Sequence, residues 1–367
     1  MKFSIKNNVL NEALKNLNRV VPTRTTLPVL SSVLFSSDGE KLSLRSTNLE
    51  VSLEYVLSAE IIEPINIAIP ISKIFSITSA LKNETLSFSI SDNEKIEIKT
   101  DFGRYKIVGL SPENFPDAVE IEAEEKTNFS TEDLESFINY TINSTSTEDL
   151  KPSLQGICLS TDETKTEFVA TDGHRLSKIT TKQNNQTAKK IIIPTKFFKI
   201  LNPFLNSNEQ IDLILGENHA QVFLKGIKIS TRLIKDAYPD YEKVIPKNND
   251  KEVLVSTKKL IDSLKRVSVF SNKKTKQTNF LFSENKIEIK AEDVEASTSA
   301  AEKVECNYIG EESVVAFNAE YLKEMLEKTE TQKTKIIFKN NHSAVLILPE
   351  EQNQHQKISL LMPIRIS

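Results

Sequence analysis

One segment of this 367-residue chain recurs twice, at intervals of about a third of its length. A strand-like apolar run that leads into the start of a helix ends near Pro70, again near Pro194, and more faintly near Phe317. The spacings are 124 residues (194 − 70) and 123 residues (317 − 194). Repetition at a fixed period constrains the architecture more strongly than any short motif. The sequence therefore predicts a chain built three times from one unit.

Other landmarks keep nearly the same spacing. Phe3, Phe129 and Val255 each precede apolar residues spaced i, i+3, i+4 and i+7, the pattern of a helix with one buried face. A turn-like segment recurs at 46–49, 170–173 and 291–294, and an aromatic-Pro-Asp segment recurs at 115–117 and 238–240. Polar stretches near residues 121–127 and 247–252 separate the copies. We therefore predict domains at residues 1–124, 125–249 and 250–367.

Between the helices, apolar and polar residues alternate. Leu86–Ile90, Ile211–Leu215 and Ile287–Lys290 are examples. A period of two indicates strands with one buried and one wet face, which is typical of antiparallel sheets. The second helix of each copy is expected to begin near Ser72, Thr195 and Asn318, residue types that can cap a helix. The predicted fold class is α+β, with two helices and many short strands in each of three similar repeats.

Composition excludes several classes of protein. Hydrophobic residues make up 38% and charged residues 27%, as in soluble globular proteins, and no apolar run approaches a membrane span. The N-terminus lacks a signal-peptide pattern, so a cytoplasmic location is expected. The two cysteines and four histidines do not have the spacing of a disulfide framework or a metal site. No glycine-rich phosphate-binding motif occurs, so neither a metal nor a cofactor is expected.

The distribution of charge is more informative than the net charge of −4. Lysines gather on predicted helices at corresponding places in the repeats, where helices lying side by side would combine their charge for phosphate groups. The alternative is ordinary solvated surface. The first helix of the second repeat is an exception, because it begins with Glu132 and Asp133 and has no lysine. The candidate nucleic-acid-facing lysines on these helices are Lys15, Lys73, Lys196, Lys199, Lys258 and Lys265.

The segment with the most catalytic appearance is Ala170–Leu176. Asp172 beside His174 is compatible with a general base or a phosphoesterase-like site. The alternative is a tight turn, since Asp-Gly is a strong hairpin signal. The equivalent segments of the other copies lack His174 and Arg175, which indicates a function specific to the second repeat. No other catalytic constellation is present in the sequence.

Several segments together carry a resemblance to a known family. They are the opening Met1-Lys2-Phe3, the segment Leu27-Pro28-Val29-Leu30, the heptapeptide at 170–176, the segment Tyr238-Pro239-Asp240-Tyr241, and the tail Met362-Pro363-Ile364-Arg365-Ile366. Over its full length the chain resembles the bacterial DNA polymerase III beta subunits, the DNA sliding clamps. The resemblance implies three similar domains per chain and a head-to-tail homodimer around double-stranded DNA. Helices would line the hole, sheets would form the outer wall, and the chain would have no catalytic residues.

The resemblance also implies functional residues. Arg24 and Lys151 match loop positions that contact DNA. Ile74, Phe75 and Leu110 on one side, with Val269 and Phe270 on the other, are the candidate dimer contacts. A pocket for short linear motifs of the polymerase catalytic subunit, the clamp loader and repair polymerases would be formed by Leu154, Thr171, Gly173, His174, Arg175, Leu176, Pro239, Val244, Leu360, Met362, Pro363 and Arg365.

Two other interpretations remain open from the sequence. One is the phosphoesterase-like enzyme that uses Asp172 and His174. The other is a scaffold of three repeats that never closes into a ring. A loaded clamp stays on nicked circular DNA but slides off the ends of linear DNA. Comparing retention on the two forms of DNA therefore separates the clamp from both alternatives.

Overall fold

The computed structural model describes residues 1–91, 93–121, 125–148, 150–183, 188–205 and 209–365. Within these residues one order of elements occurs three times: a strand, a helix, a group of strands, a second helix and three strands. The predicted threefold repetition and the α+β class are therefore confirmed. The first predicted boundary falls partly on residues 122–124, outside the described residues, and the domain boundaries stay a prediction.

The first copy has five strands between its two helices. Its elements are β1 (Lys2–Lys6), α1 (Asn7–Leu17), β2 (Ser32–Asp38), β3 (Lys41–Thr47), β4 (Val51–Ser58), β5 (Glu60–Glu63), β6 (Asn66–Pro70), α2 (Ile71–Ala80), β7 (Thr85–Ile90), β8 (Lys95–Lys99) and β9 (Arg104–Val108).

The second and third copies have four strands between their helices within the described residues. The second comprises β10 (Glu125–Ser130), α3 (Thr131–Thr141), β11 (Gly156–Thr161), β12 (Lys165–Thr171), β13 (Arg175–Lys182), β14 (Lys189–Pro194), α4 (Thr195–Leu201), β15 (Gln210–Leu215), β16 (His219–Leu224) and β17 (Ile227–Arg232). The third comprises β18 (Lys251–Ser256), α5 (Thr257–Val267), β19 (Gln277–Ser283), β20 (Lys286–Asp293), β21 (Thr298–Asn307), β22 (Ser313–Asn318), α6 (Ala319–Glu327), β23 (Lys333–Phe338), β24 (Val345–Pro349) and β25 (Gln356–Leu361).

The helices form where the apolar spacing predicts them. Leu10, Leu14 and Leu17 of α1 are fully buried, while Lys15 on the same helix is exposed. The second helices begin within one residue of the predicted positions. Asn318 is a true cap, because its side-chain Oδ1 accepts hydrogen bonds from the backbone N–H groups of Glu320 (3.0 Å) and Tyr321 (3.2 Å). Ser72 and Thr195 lie inside their helices and are not caps.

The chain forms two compact units, Met1–Leu134 with Lys196–Leu233, and Glu135–Thr195 with Ile234–Ser367. The first unit contains a five-stranded sheet in the order β5-β1-β7-β8-β9 and an eight-stranded sheet in the order β10-β15-β16-β17-β4-β3-β2-β6. The second unit contains a twelve-stranded sheet in the order β14-β11-β12-β13-β25-β24-β23-β18-β21-β20-β19-β22. Neighbouring strands are antiparallel, as the period-two alternation predicts.

Two strand pairings join one copy to the next. In the first junction, β17 pairs with β4 and Thr231 lies opposite Val51. In the second junction, β25 pairs with β13 and Leu361 lies opposite Arg175. Each unit therefore contains one complete copy and part of the second copy, because the backbone hydrogen bonds of a sheet continue across the junction. The sequence did not predict this division.

The two junctions are equivalent in their hydrogen bonds. The N–H of Arg232 donates to the carbonyl of Glu50 at 3.0 Å, and the N–H of Met362 donates to the carbonyl of His174 at 2.9 Å. Two residues after each of these donors, an isolated bridge ties the chain to the strand that precedes the second helix. The three such bridges of the chain are Ala68–Leu110, Ile192–Ile234 and Ala316–Ile364. These bridges align the last strands of the three copies residue by residue.

Candidate functional site

A cavity of about 320 Å³ lies at the second junction. The structure brings ten of the twelve predicted pocket residues together around it, although their part in binding remains a prediction. Ser153, Asp240 and Tyr241 also line it, as does Lys151, for which the family resemblance implied a contact with DNA. The residues around the cavity are Lys151, Ser153, Leu154, Thr171, Gly173, His174, Arg175, Leu176, Pro239, Asp240, Tyr241, Val244, Leu360 and Met362.

The wall at residues 171–175 is a hydrogen-bonded turn. Oδ1 of Asp172 accepts hydrogen bonds from the backbone N–H groups of His174 and Arg175, both at 2.9 Å. The hydroxyl of Thr171 donates to the carbonyl of Arg175 at 2.7 Å and accepts from the N–H of Gly173 at 3.1 Å. Gly173 has a φ of +90°, a conformation that favours glycine. The Asp172 carboxylate therefore holds a turn, which explains this segment without a general base.

Arg175 connects this turn to α6. Its Nε donates to Oδ2 of Asp172 at 3.0 Å, and its Nη1 donates to Oε2 of Glu324 at 2.6 Å. The guanidinium carbon lies 4.1 Å from the centre of the Tyr321 ring, close enough for a cation–π contact. Because its charge is paired and its side chain is buried, Arg175 stabilises the wall of the cavity. No sequence pattern marked Tyr321 or Glu324 as part of this site.

A buried ionic network supports the opposite wall. The hydroxyl of Tyr241 donates to Oε2 of Glu167 at 3.1 Å, and Nζ of Lys178 lies 3.2 Å from Oε1 of Glu167. Lys165 donates to the same oxygen at 3.0 Å. Burial alone would raise the pKa of Glu167, but the hydrogen bond from Lys165 and the charge of Lys178 hold it below its ordinary value. The network fixes Tyr241 and hence the short helical turn at Tyr241–Lys243.

The cavity has a buried floor and an exposed apolar rim. Leu154, Leu176 and Leu360 are almost fully buried, whereas Val244 is 53% exposed and Met362 is 39% exposed. Exposed apolar side chains around a concave surface mark a binding site for another molecule. Unbranched Met362 adapts its shape to different ligands.

The first junction has polar residues where the second has this apolar surface. Because Thr231 lies opposite Val51 as Leu361 lies opposite Arg175, Ser52 and Ser230 occupy the places of Leu176 and Leu360. Arg232 likewise stands where the second junction has Met362. The same backbone arrangement thus carries a polar surface at the first junction and an apolar surface at the second.

Two predicted pocket residues lie outside the cavity lining. The chain turns away after Met362, because the N–H of Ile364 donates to the carbonyl of Ala316 at 2.8 Å. Pro363 is half-buried beside this turn and Arg365 is exposed. Ile366 and Ser367 lie outside the described residues.

The predicted DNA-facing side chains are mostly exposed. Lys15, Arg24, Lys73, Lys151, Lys199, Lys258 and Lys265 are exposed and Lys196 is half-buried. Lys265 lies 3.4 Å from Oε1 of Glu327, an ion pair open to solvent and so of little strength. The acidic residues Glu132 and Asp133 lie in the first turn of α3, where the helix dipole favours negative charge.

The predicted dimer contacts differ in their exposure. Val269 is 77% exposed and Phe270 is 38% exposed, so both have free apolar surface. Phe75 and Leu110 are half-buried. The prediction for Ile74 is wrong in this structure, because Ile74 lies on the inward face of α2 with no exposed surface and an interface residue needs surface to offer.

The described residues show no further chemical centre. No group of three or more His, Cys, Asp or Glu side chains among them is arranged to hold a metal ion. Burial raises the pKa of the Cys158 thiol to about 12, so this cysteine stays protonated. None of the described helices has the length and apolar character needed to cross a bilayer.

Comparison with known proteins agrees with this architecture. Three models of the DNA polymerase III beta subunit match the chain: the N-terminal domain at residues 1–120, the central domain at 128–240, and the C-terminal domain at 242–365. The beta sliding clamp of Pseudomonas putida is 28% identical over 370 residues, which cover 100% of both chains. The beta sliding clamp of Synechococcus elongatus is 28% identical over 360 residues, covering 95% of this chain and 96% of the relative.

Solved structures agree as well. The DnaN sliding clamp (DNA polymerase III subunit beta) of Pseudomonas aeruginosa bound to griselimycin is 27% identical, with a TM-score of 0.92 and 100% of both chains covered. The DNA polymerase sliding clamp of Caulobacter crescentus is 26% identical, with a TM-score of 0.91 and the same coverage.

The fold is thus a three-domain DNA clamp fold. The chain belongs to the DNA polymerase III beta subunit family. Its role is that of a sliding clamp, a non-catalytic processivity factor of DNA replication. The phosphoesterase-like alternative is therefore rejected.

Proposed function

We propose that two copies of this chain close head-to-tail into a ring around duplex DNA. The carrying observation is the equivalence of the two junctions. At each, the last strand of one copy pairs with the third strand after the first helix of the preceding copy. This rule leaves one such last strand, β9, and one such third strand, β21, for another chain. A head-to-tail contact of this kind closes a ring when the rotation fits.

Both strands have a free edge in the single chain. β9 is the edge of the five-stranded sheet. On one side β21 pairs with β20 along its length, and on the other it pairs with β18 only at Leu254–Asn307 and Val255–Cys306. The described residues leave the remainder of that side, from Thr298 onward, unpaired. Free strand edges are templates for pairing with a second chain.

The equivalences fix a register for this pairing. The bridging residues Leu110 and Ile364 correspond, so Leu361 corresponds to Ile107 (361 − 254, where 254 = 364 − 110). The spacing of 123 from Pro194 to Phe317 carries Arg175 to Thr298 (175 + 123). Because Leu361 lies opposite Arg175, we expect Ile107 of one chain to lie opposite Thr298 of the other chain. Lys106 then lies opposite Ser299 and Tyr105 opposite Ala300.

Apolar side chains near both edges support the same contact. Half-buried Tyr105 and Ile107 lie on β9, and exposed Val269 and Phe270 follow α5, beside β21. Phe75 and Leu110 are proposed to complete the first side. Burial of an exposed valine or phenylalanine stabilises an interface by about 1.5–3 kcal/mol.

We propose that the exposed cations of the helices face the DNA. Lys15, Lys73, Lys199 and Lys258 carry no ion pair to another of the described residues and remain available to phosphates, with Lys196 and Lys265 beside them. Arg24 and Lys151 are proposed to contact DNA from loops. Phosphate contacts of this kind carry no sequence information, as a clamp that slides requires.

We propose that the apolar cavity of the second junction binds short peptide segments. Its size and its rim of Val244 and Met362 suit one or two apolar side chains of an extended motif. Pro363 and Arg365 are proposed to contact the flanking part of the motif. The proposed owners are the polymerase catalytic subunit, the clamp loader and repair polymerases, which would meet the clamp in the cytoplasm.

Retention on DNA tests the ring. The chain is loaded on nicked circular DNA by its clamp loader and ATP, and half of the sample is then linearised. The ring predicts retention on circles and loss from linear ends, and equal retention on both would contradict it. Sedimentation at micromolar concentration must show a dimer, whereas a persistent monomer would favour the open scaffold.

A further inference from the structure

A second cavity has no place in the function proposed above. It measures about 620 Å³ and lies at one end of the five-stranded sheet, where β1, β5, β7, β8 and β9 come together. Val108 contributes exposed apolar lining, Ile90 and Ile96 are nearly buried, and Lys95 and Lys106 contribute charge. Val108 is 63% exposed in the single chain. The cavity therefore opens beside β9, the strand proposed to pair with a second chain.

A turn of the third copy has the complementary features. β20 and β21 are joined by residues 294–297, in which the N–H of Ser297 donates to the carbonyl of Val294 at 3.2 Å. Val294 is 79% exposed. From Asp172 to Pro194 there are 22 residues, and from Asp293 to Phe317 there are 24. The third copy thus has two extra residues between these landmarks. Since Leu176 corresponds to Ser299 (176 + 123), the two residues lengthen this hairpin by one pair, Asp293 opposite Thr298, and its turn extends further than its counterparts.

The register brings the turn and the cavity together. If Ile107 lies opposite Thr298 of a second chain, Val108 lies opposite Ser297 of that chain. The equivalent turn of the second junction, at Gly173 and His174, lines a cavity together with Met362, the counterpart of Val108. The turn of residues 294–297 of the second chain consequently arrives at the mouth of the cavity beside β9.

The charges of the two surfaces are complementary. The turn and its flank carry Glu292, Asp293 and Glu295. On the cavity side, Glu63 is paired with Lys2 at 3.3 Å, and Glu97 pairs only loosely with Lys99 at 3.9 Å. Lys95 and Lys106 have no ion pair to another side chain of the described part of the chain, so they are free for the acidic turn.

We propose that the turn of residues 294–297 of one chain docks into the cavity beside β9 of a second chain, with Val294 as the apolar contact. This latch rests on the proposed ring and adds a second contact to the strand pairing. Its occupant is another molecule of the same chain. It would oppose opening of the ring at the surface that faces away from the helices, because Lys106 and Val108 project from the face of β9 opposite to Tyr105 and Ile107.

Cysteine pairs test the latch directly. In a Cys306→Ser background, one pair is Lys106→Cys with Ser299→Cys, which reads the strand register. The other pair is Val108→Cys with Val294→Cys, which reads the latch. A short bis-maleimide is added to mixtures of the two single variants of each pair, so that a cross-link forms only between copies. We expect cross-linked dimers from both mixtures.

Dimer affinity provides the second measurement. Val294→Asp is expected to raise the dissociation constant of the dimer at least about tenfold, because it places a charge in an apolar contact. Leu150→Asp is the matched control, since Leu150 is 90% exposed on a loop outside both β9 and β21, and it is expected to leave the constant unchanged.

The outcomes separate the latch from the ring. A cross-link at Lys106/Ser299 without one at Val108/Val294 overturns the latch and leaves the ring. Equal dimer affinity of the Val294→Asp and Leu150→Asp variants also overturns it. If neither pair cross-links and the chain sediments as a monomer, the ring fails and the latch fails with it.

Discussion

Nη1 of Arg175 donates a hydrogen bond to Oε2 of Glu324 at 2.6 Å. Arg175 begins β13 in the second copy, and Glu324 lies on α6 in the third. This ion pair holds the turn of residues 171–175 against α6. The side chain of Arg175 is 9% exposed and that of Glu324 is 37% exposed, so the two partners pay unequal desolvation and respond differently to substitution.

Arg175→Met is expected to destabilise the chain by about 2–4 kcal/mol, because it removes one partner of a largely buried charge pair and leaves Asp172 unpaired. Glu324→Gln is expected to cost at most about 1 kcal/mol, since its carboxylate remains partly hydrated. Urea unfolding of both variants measures the difference. Equal losses of stability in the two variants would show that the contacts of Arg175 with Asp172 and Tyr321 do not stabilise the chain.

The pocket is tested by variants of its exposed rim. Val244→Asp is expected to weaken binding of a polymerase-derived motif peptide at least about tenfold, because the charge enters an apolar contact. Met362→Ala together with removal of residues 365–367 is expected to weaken it as well. Fluorescence anisotropy with a labelled peptide measures affinity, and sedimentation checks that the dimer persists. Unchanged peptide affinity in both variants would refute the assignment.

The network below the pocket predicts a pH dependence. The pKa of Glu167 in the folded chain lies below its ordinary value of 4.5, so its ionised form stabilises the fold above that pH, and this stabilisation is lost as the pH falls through the folded value. Glu167→Gln is expected to destabilise the chain by about 1–3 kcal/mol at pH 7. The difference from wild type should shrink below pH 4.5.

Glu163→Gln is the matched control for this experiment, because Glu163 is exposed on the adjoining hairpin and its charge is screened by water. Its unfolding curve should follow wild type at both pH values. A difference between Glu167→Gln and wild type that stays constant with pH would argue against the ionised network.

The proposed dimer contact predicts a monomeric variant. Val269→Asp is expected to raise the dimer dissociation constant by at least about tenfold without unfolding the chain, since Val269 is 77% exposed. Ile62→Asp is the control, because Ile62 is 64% exposed on β5 at the opposite edge of the sheet from β9. Sedimentation measures the mass, and a dimer of undiminished affinity would remove Val269 from the interface.

The repeat and the secondary structure were predictable because they depend on local patterns. The apolar spacing in α1 and the alternation in β15 each follow from the need to bury one face. Asn48, Asp172 and Asp293 were recognisable as equivalent, and each accepts backbone hydrogen bonds from the residues two and three positions ahead.

The supports of the pocket were not predictable in this way. Glu324 lies 149 residues from Arg175, and Glu167 lies 74 residues from Tyr241. Neither spacing repeats in the chain, so no period or motif marks these pairs. Ile74 is a residue that the sequence analysis included in an interface and the structure buries. Which face of α2 points inward depends on how the helix packs, and the sequence alone does not show this.

The sequence by itself determined three copies of one unit, their helices and strands, and the singular character of residues 170–176. Tertiary structure decided how the copies join, through β4 with β17 and β13 with β25. Strand edges attract one another through backbone groups that every residue carries, so side-chain patterns do not reveal which edges meet. The same tertiary pairing leaves β9 and β21 without a partner along most of one edge in the described chain, and from this the proposed ring follows.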